Sequence, residues 1–600
     1  MKGIAIGLSN NSKEILKRLK KTEFVKDIYI AGSSKEDGKE NELIQVQKPR
    51  EILLKKWPEI DLIIFIGSIA ASIRIINPFL TSKDQDPGVI VIDNKCSKIV
   101  PLIGLHQSNT QNISCQIANL LGGEIIETNN SNDQSLLNLD AFGNQWGWKR
   151  SGKINDWSKL VIKQAKNEEI FCKQLSGNSL WKTSESAEII NQIDKKETEK
   201  PDSTFHVSIF ENHGTTWHPP VLWIGIGCER NTSKELIANS LNNLLESGNL
   251  SQQSIAGFAT IDIKKDEKGI LELSEEKNLP IKFFSKKDLS TIIVPNPSNV
   301  VQKEIGTPSV AEASCLLAAG EESKLLEEKR IFKNQSGAVT IAVAESKNQY
   351  NPTHGEIHII GSGPGDISFL TNNARKALSR CTVWIGYKMY LDLIKPLKRN
   401  DQVLIESKLT EEKERCSKAI KLAEEGIKVA LISSGESGFY GMAGLLLELL
   451  QKIKKEYRPY FEVHPGISSV QLAAAISGAP LMNDFCSVSL SDKLTPWSLI
   501  EKRIEGALVG DFVIALFNPQ SIERNWQLKS VIDICLQSRH GDTPVLIARQ
   551  VGRENQTKKF FTLNTIPFKE IDMLSIIIIG NSQTTLVDEI FLTPRGYLQN

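Results

Sequence analysis

The sequence predicts a multidomain α/β protein, and three observations carry that reading. Short, almost continuously apolar runs recur along the chain, each closed by a glycine turn and followed by an amphipathic stretch. Such runs suit strands buried on both faces, inside parallel sheets covered by helices. At 600 residues, 40% hydrophobic and 24% charged, the chain has the composition of an ordinary soluble protein with room for about four domains.

The first segment, 1–134, holds IDLIIFIG (Ile60–Gly67) and GVIVID (Gly88–Asp93) as inner strands. Ser108–Leu121, polar at its start and stopped by Gly122-Gly123, reads as a capped helix leading into EIIET. From 135 to 219 the pattern loses clarity, and this stretch is expected to be a middle region and linker. DKKETEKPDST (Asp194–Thr204) has the charge and proline content of a solvated connector. A second α/β segment, 220–346, opens with VLWIGIGCERNTSKELI (Val221–Ile237): a strand, a glycine turn, Thr232 or Ser233 as N-cap, then a helix. FATIDIKKDE (Phe258–Glu267), the helix of Ser309–Gly320 and the strand AVTIAVAES (Ala338–Ser346) complete it. The polar, turn-rich SKNQYNPTHG (Ser346–Gly355) marks the main boundary.

Beyond it, EIHIIGSGPGD (Glu356–Asp366) is a strand that turns sharply, so that backbone amides face whatever lies above the sheet edge. Its glycines are spaced G-x-G-x-G with Pro364 among them, not the G-x-G-x-x-G of a dinucleotide fold. Pro364 lacks an amide hydrogen and cannot join a ring of donors around a pyrophosphate. The turn therefore suits a flat, less anionic ligand, although taken alone it is equally an ordinary strand-to-helix turn. Thr371 is placed to cap the next helix, KVALISSGESG (Lys428–Gly438) repeats the plan, and two such strand ends in one sheet face one cleft. DFVIALFNP, TPVLIARQVGR and MLSIIIIGNS supply a further strand series.

Charge and cysteine content exclude several classes. With 72 Lys plus Arg against 71 Asp plus Glu there is no field to draw nucleic acid or a membrane surface, so an anionic substrate must be held by local clusters. Nine scattered cysteines, never spaced C-x-x-C, argue for reduced thiols and against a disulfide framework or a zinc ribbon. No His/Cys cluster calls for a protein-held metal. The start lacks the apolar core of a signal peptide, and the run Leu62–Ala71 falls well short of the ~20 residues that span a bilayer, so a cytoplasmic location is expected.

Residues 355–600 resemble the tetrapyrrole methyltransferases that use S-adenosylmethionine, and within them the branch that methylates C17 of precorrin-3B or cobalt-factor III. The matching stretches include GSGPGDISFLT (Gly361–Thr371), WIGYKMYLDLI (Trp384–Ile394), ALISSGESGFYGMAGLLLELL (Ala430–Leu450), HPGISSVQLAAAISGAPLMNDFCSVSLSDKLTPW (His464–Trp497), FNPQSIERNW (Phe517–Trp526) and TPRGY (Thr593–Tyr597). The resemblance implies a two-domain fold with lobes at 355–475 and 476–600, preceded by two smaller α/β domains, and a homodimer formed through it. It places the S-adenosylmethionine pocket on Pro364, Gly365, Asp366, Gly435, Glu436, Ser437, Tyr440, Ser468, Ser469, Phe517 and Asn518. Glu436 stands where this branch usually has Asp, and Ser469 where it usually has Ala.

The N-terminal part is similar to the cobalt-precorrin-5A hydrolases of cobalamin synthesis. WIGIGCERNTS (Trp223–Ser233), GTPSVAEASCLLAAG (Gly306–Gly320) and GSIAASIRIINPFLTSKDQDPGVIVID (Gly67–Asp93) carry this likeness. The chain departs from it at IETNNSNDQ and in the missing glycines after His106. Together the resemblances imply a bifunctional enzyme that methylates C17 with ring contraction and opens a ring-A lactone with release of acetaldehyde. The same fold acting on another acceptor, joined to a non-catalytic tetrapyrrole-binding half, is the alternative. Cobalt arrives in the substrate.

Methyl transfer from a sulfonium needs an aligned carbon nucleophile more than a strong base. A tetrapyrrole bearing acetate and propionate arms favours cations at the cleft rim, for which Arg415, Lys493, Arg524, Arg549 and Arg553 are the candidates. Asp484 and Asp492 are candidate acids for proton movement during ring contraction, and equally suit caps or turns. For lactone opening, Asp262 and Lys264, two apart on an expected strand, point to one face, with Glu312 and His106 as candidate bases. Each also has a plainer reading as an ion pair, a first-turn acid or a satisfied loop histidine. Cys228 fits a buried thiol better than a nucleophile, since no partner base is identifiable.

Overall fold

The computed structural model describes residues 2–32, 44–81, 86–104, 110–126, 136–193, 201–211, 214–335, 337–521 and 524–597. The chain divides into two compact units, Met1–Gln134 and Ser135–Asn600.

The first unit is a seven-stranded sheet in the order Gln45–Val46, Asp27–Ile30, Gly3–Gly7, Leu62–Ile66, Gly88–Ile92, Lys98–Ile103 and Glu124–Ile125. Its first five strands are parallel, and Lys98–Ile103 runs antiparallel to Gly88–Ile92. The central strands are fully buried because they are apolar at every position, so both faces of the sheet carry a core. Thr110–Leu121 is helical, ending at Gly122, whose φ of +76° suits the left-handed C-terminal position.

In the second unit, the region expected to be a middle stretch and linker is a folded sheet. Its order is Ile190–Gln192, Ile170–Gln174, Thr204–Val207, Thr216–His218 and Lys149–Ser151. The strands are three to five residues long, too short for a clear period-2 pattern. Large aromatics compensate. Trp146, Trp148, Trp157, Trp181 and Trp217 are all buried around Phe142 and Phe205, and they belong to the same continuous core as Ile357, Val429, Leu431 and Leu446 from beyond the expected main boundary. Their indole N–H groups are satisfied: Trp148 donates to Gln349 Oε1 at 2.8 Å, Trp157 to Ser151 O at 2.7 Å and Trp217 to Leu139 O at 3.1 Å. Gln349 in turn donates to Trp146 O and Glu425 O, both at 2.7 Å, which fastens the connector between the two layers.

The sheet Ile281–Phe284, Ile255–Ile261, Leu222–Cys228, Gly337–Glu345, Lys324–Asn334 follows, parallel in its first three strands and antiparallel in the last two. Ser233 caps the helix Lys234–Ser247, its Oγ accepting from Leu236 N at 3.2 Å. Next comes a wholly parallel sheet, in the order Val403–Ser407, Val383–Tyr387, Lys428–Ser433, Glu356–Gly361 and Tyr460–His464. The last is a mixed sheet in the order Phe485–Ser489, Val513–Phe517, Ser575–Ile579, Pro544–Arg549 and Thr557–Thr562. No helix among the described residues is long and apolar enough to cross a membrane.

Candidate active site

Glu356–Gly361 and Lys428–Ser433 are adjacent and parallel, so their glycine-rich ends emerge side by side. Ser362 N donates to Ser433 O at 2.9 Å, and Gly363 and Gly435 exchange both backbone bonds, at 3.1 and 2.8 Å. Both glycines are left-handed, at φ +76° and +64°, a conformation that costs a side-chain-bearing residue roughly 1–2 kcal/mol. Gly466, at the end of the neighbouring strand, completes the contact: a Cβ there would lie 2.0 Å from Gly435 O and 2.6 Å from Gly361 O. Three strand ends therefore meet backbone to backbone.

The second lobe supplies another wall. A Cβ on Gly365 would fall 2.2 Å from Gly552 O, Asp366 N donates to Gly552 O at 2.6 Å, and Arg553 Nε donates to Pro364 O at 3.3 Å. Pro364 and Gly365 are buried in this seam. Asp366 is exposed and caps its own turn, accepting from Ser368 N at 2.7 Å, and that bond holds its carboxyl below the usual range.

A Cβ added to Gly435 would make ordinary contacts, the nearest being Ile467 O and Ser468 Cα at 3.8 Å and Ser469 N at 3.9 Å. Gly435, Ser468 and Ser469 thus lie side by side at the strand ends, and Pro364 follows the Gly363 that pairs with Gly435. Ser468 N donates to Gln471 Oε1 at 2.8 Å, fixing the helix Ser469–Ser477. Ser437 is fully buried and its Oγ has no hydrogen-bond partner, so a polar group is left facing inward. The Glu436 carboxylate accepts from Gly438 N instead of reaching away from its loop. Tyr440 (φ +56°) packs its ring 5.2 Å from those of Phe439 and Phe517, and its hydroxyl donates to Ser487 O at 2.9 Å, bridging the lobes. Asn518 (φ +50°) donates to Ser489 Oγ at 3.0 Å. Strained, non-glycine backbone of this kind persists only where surrounding contacts enforce it, and it gathers at ligand sites.

The expected rim cations divide. Arg415 and Arg524 are buried, which corrects their placement at a solvated rim. Arg415 donates to Ser407 Oγ at 2.7 Å and Lys408 O at 2.8 Å, while Arg524 donates to the carbonyls of Leu490 and Asn518, both at 3.0 Å. Arg549 is paired with Asp572, 2.7 Å away, which holds that carboxyl below its usual range against the upward push of partial burial. Arg553 spans from Pro364 O to Met389 Sδ. Met389 lines a cleft of about 680 Å³ with Tyr387, Lys388, Asp392, Glu406, Ser407 and Lys408, a size within the range of small-ligand sites. Lys493 is exposed and has no ion pair among the described residues. Asp484 is exposed, and Asp492 accepts from Gln527 Nε2 at 3.0 Å.

The lactone-opening candidates are arranged differently from the expectation. The strand stops at Ile261, and Asp262–Lys264 is a 3-10 turn, so Asp262 and Lys264 do not share a strand face. Lys264 is buried against Glu267 at 2.9 Å, and Glu267 also accepts from Asn231 N at 2.7 Å. Sequence reasoning missed Glu267, although its N-terminal flank of lysines gave a signal. Glu312 is fully buried, with Oε1 accepting from Asn296 Nδ2 at 3.0 Å and Lys329 N at 3.1 Å while Oε2 has no partner. Burial pushes the Cys228 thiol up to about 11, only partly offset by Lys264, which leaves little thiolate at neutral pH. His106 lies outside the described residues.

Residues 356–567 match the family described as Tetrapyrrole (Corrin/Porphyrin) Methylases. Over 241 residues the chain is 44% identical to a probable cobalt-factor III C(17)-methyltransferase of Salmonella typhimurium, covering 99% of that protein and 40% of this one. The chain belongs to the tetrapyrrole methylase family. A cobalt-factor III methyltransferase of Priestia megaterium is also 44% identical, over 40% of this chain, and the chain spans 45% of that relative's length. The solved structure of the methyltransferase CobJ has 32% identity and a TM-score of 0.39, covering 40% of this chain and all of its own. Ahead of the methylase part, residues 51–132 and 222–344 match the families described as Cobalamin synthesis G N-terminal and C-terminus. A cobalt-precorrin-5A hydrolase of Priestia megaterium is 27% identical over 56% of this chain and 93% of its own length. The polypeptide therefore joins a tetrapyrrole methylase part to segments similar to the N- and C-terminal parts of cobalamin-synthesis G proteins.

Proposed function

We propose that residues 355–600 methylate C17 of precorrin-3B or cobalt-factor III with ring contraction, and that the preceding part opens the cobalt-precorrin-5A lactone with release of acetaldehyde. The observation that carries the first half is the backbone-to-backbone meeting of Gly363, Gly435 and Gly466 at three strand ends, with Ser468 and Ser469 beside Gly435, and it is in a hollow at this meeting point that the cofactor is placed. Its fit to S-adenosylmethionine rests on the buried Ser437 Oγ, which has no hydrogen-bond partner among the described residues, and on Gly435, where a side chain would crowd Ser468 and Ser469. That cofactor supplies an electrophilic methyl group on a sulfonium.

The backbone of Gly435–Ser437 and Ser468–Ser469 fixes one ligand, while Tyr440 and Phe517 offer apolar surface to a flat macrocycle. Arg553 and Lys493 hold acidic arms at the entrance. Positioning supplies most of the acceleration, since methyl transfer from a sulfonium needs an aligned carbon nucleophile more than a strong base. In the other half, the buried Lys264–Glu267 pair and the unpaired Glu312 Oε2 are the groups available to stabilise an oxyanion or to accept a proton. The methylase part also carries the expected homodimer contact, which sedimentation of the full chain tests.

The deciding experiment is anaerobic turnover of the cobalt tetrapyrrole with methyl-labelled S-adenosylmethionine, locating the label by NMR. Label at C17 is expected, and label at another carbon overturns the assignment. Incubation with the lactone intermediate should release acetaldehyde. Retained pigment without aldehyde would make the N-terminal half a binding module instead.

A further inference from the structure

His358 and His464 stand 106 positions apart in sequence and their rings meet. They lie on the parallel neighbours Glu356–Gly361 and Tyr460–His464, of which the second is a sheet edge. Register pairs His358 with Glu462 and Ile360 with His464, so His358, Glu462 and His464 fall on one face. His358 Nδ1 is 2.9 Å from His464 Nε2, and a Glu462 carboxylate oxygen is 3.9 and 3.8 Å from those two atoms. The point equidistant from the three lies about 2.1 Å from each, the bond length of imidazole and carboxylate to zinc and its neighbours in the first transition row.

The surroundings suit such an ion. His358 Nε2 is 2.8 Å from Glu356, a contact that places the proton on Nε2 and leaves the Nδ1 lone pair turned toward His464. Glu356 is itself neutralised by Lys428 at 2.6 Å and Arg380 at 3.5 Å. Glu462 has no Lys or Arg partner among the described residues; its Oε2 accepts from the Tyr460 hydroxyl at 3.3 Å and otherwise faces the pair of imidazoles. Both histidines are buried while the Glu462 side chain is 47% exposed, which gives a path in and room for water as a further ligand.

We propose that His358, Glu462 and His464 bind a divalent first-row transition cation of the zinc or cobalt kind, which staples the edge strand to its neighbour. The strand so held leads directly into Pro465–Ser468, the loop that borders the hollow described above. The site is separate from the methyl-transfer reading and does not depend on it.

The test uses the full chain without an affinity tag, stripped with chelator and titrated with cobalt chloride, followed by visible ligand-field absorption and calorimetry. One cobalt per chain is expected, displaced by zinc chloride, with a rise in melting temperature on binding. His464→Gln should abolish the absorption. Glu462→Gln, which alters a half-exposed side chain and leaves the core intact, should weaken binding by at least about tenfold. Absence of the bands in the unaltered chain, or bands of equal strength in both variants, overturns the proposal. The second result would assign the cobalt to cysteine thiols.

Discussion

Adding one methyl group at Gly435 separates the ligand site from the fold. Its φ of +64° places an alanine in the left-handed region at a cost of roughly 1–2 kcal/mol. Sterically nothing else changes, because the nearest heavy atoms to the new Cβ are at 3.8 Å. Gly435→Ala should therefore lower the melting temperature by only a few degrees, at roughly 2–4 °C per kcal/mol for a domain of this size. The methyl projects into the hollow beside Ser468 and Ser469, where overpacking against a bound ligand costs about 1–3 kcal/mol, or roughly 5- to 150-fold in affinity. Calorimetry with S-adenosylhomocysteine reads that loss directly. Gly444→Ala is the control: it sits in the helix Ala443–Gln451 with nothing within 4 Å of its added Cβ, and should bind as the unaltered chain does. If Gly435→Ala melts as expected yet binds with unchanged affinity, the hollow is not where the ligand sits.

Two further outcomes are expected. Lys282 Nζ lies 4.2 and 4.4 Å from the ring centres of Trp223 and Tyr350, and burial pulls its pKa down to about 8, with Glu424 opposing. A folded value below the unfolded one of about 10.5 means that the folded state holds fewer protons, so stability should rise with pH between about 8 and 10.5. Melting curves of Lys282→Met should lack this increment, and equal slopes in both proteins would clear Lys282 of the effect. Arg524→Ala strips the donor from two carbonyls and should destabilise by about 2–3 kcal/mol in denaturant titration, whereas Lys493→Ala should stay within about 0.5 kcal/mol and raise KM for the tetrapyrrole. A stability loss at Lys493 equal to that at Arg524 would refute the division between structural and rim cations.

Much of the frame was legible because buried parallel strands must be apolar throughout, and Ile60–Gly67, Gly88–Asp93 and Lys428–Gly438 are of that kind. The meeting of the Gly363, Gly435 and Gly466 turns followed from parallel strand ends facing the same way. What failed to show were features set by tertiary contact. The stretch 135–219 holds together by tryptophans scattered over 72 positions, which no local period reveals. Asp262 and Lys264 looked like one strand face because DIKKDE gives no sign of where pairing with Ile281–Phe284 ends. Arg415 and Arg524 carry the same charge as Lys493, and only packing tells that their guanidinium groups are consumed by carbonyls and hydroxyls. The His358–His464 pair escaped notice because its members belong to strands separated by four α-helices.

The shared tryptophan-lined core has a practical corollary for anyone dividing this polypeptide. The seam suggested by ancestry, near Tyr350, is not a mechanical seam, since Gln349 donates to Glu425 O across it and Trp146 shares a core with Ile357 and Val429. A cut there would leave greasy surface on both fragments. The natural place to part the protein is at Gln134, and intrinsic fluorescence would report the difference between the two cuts.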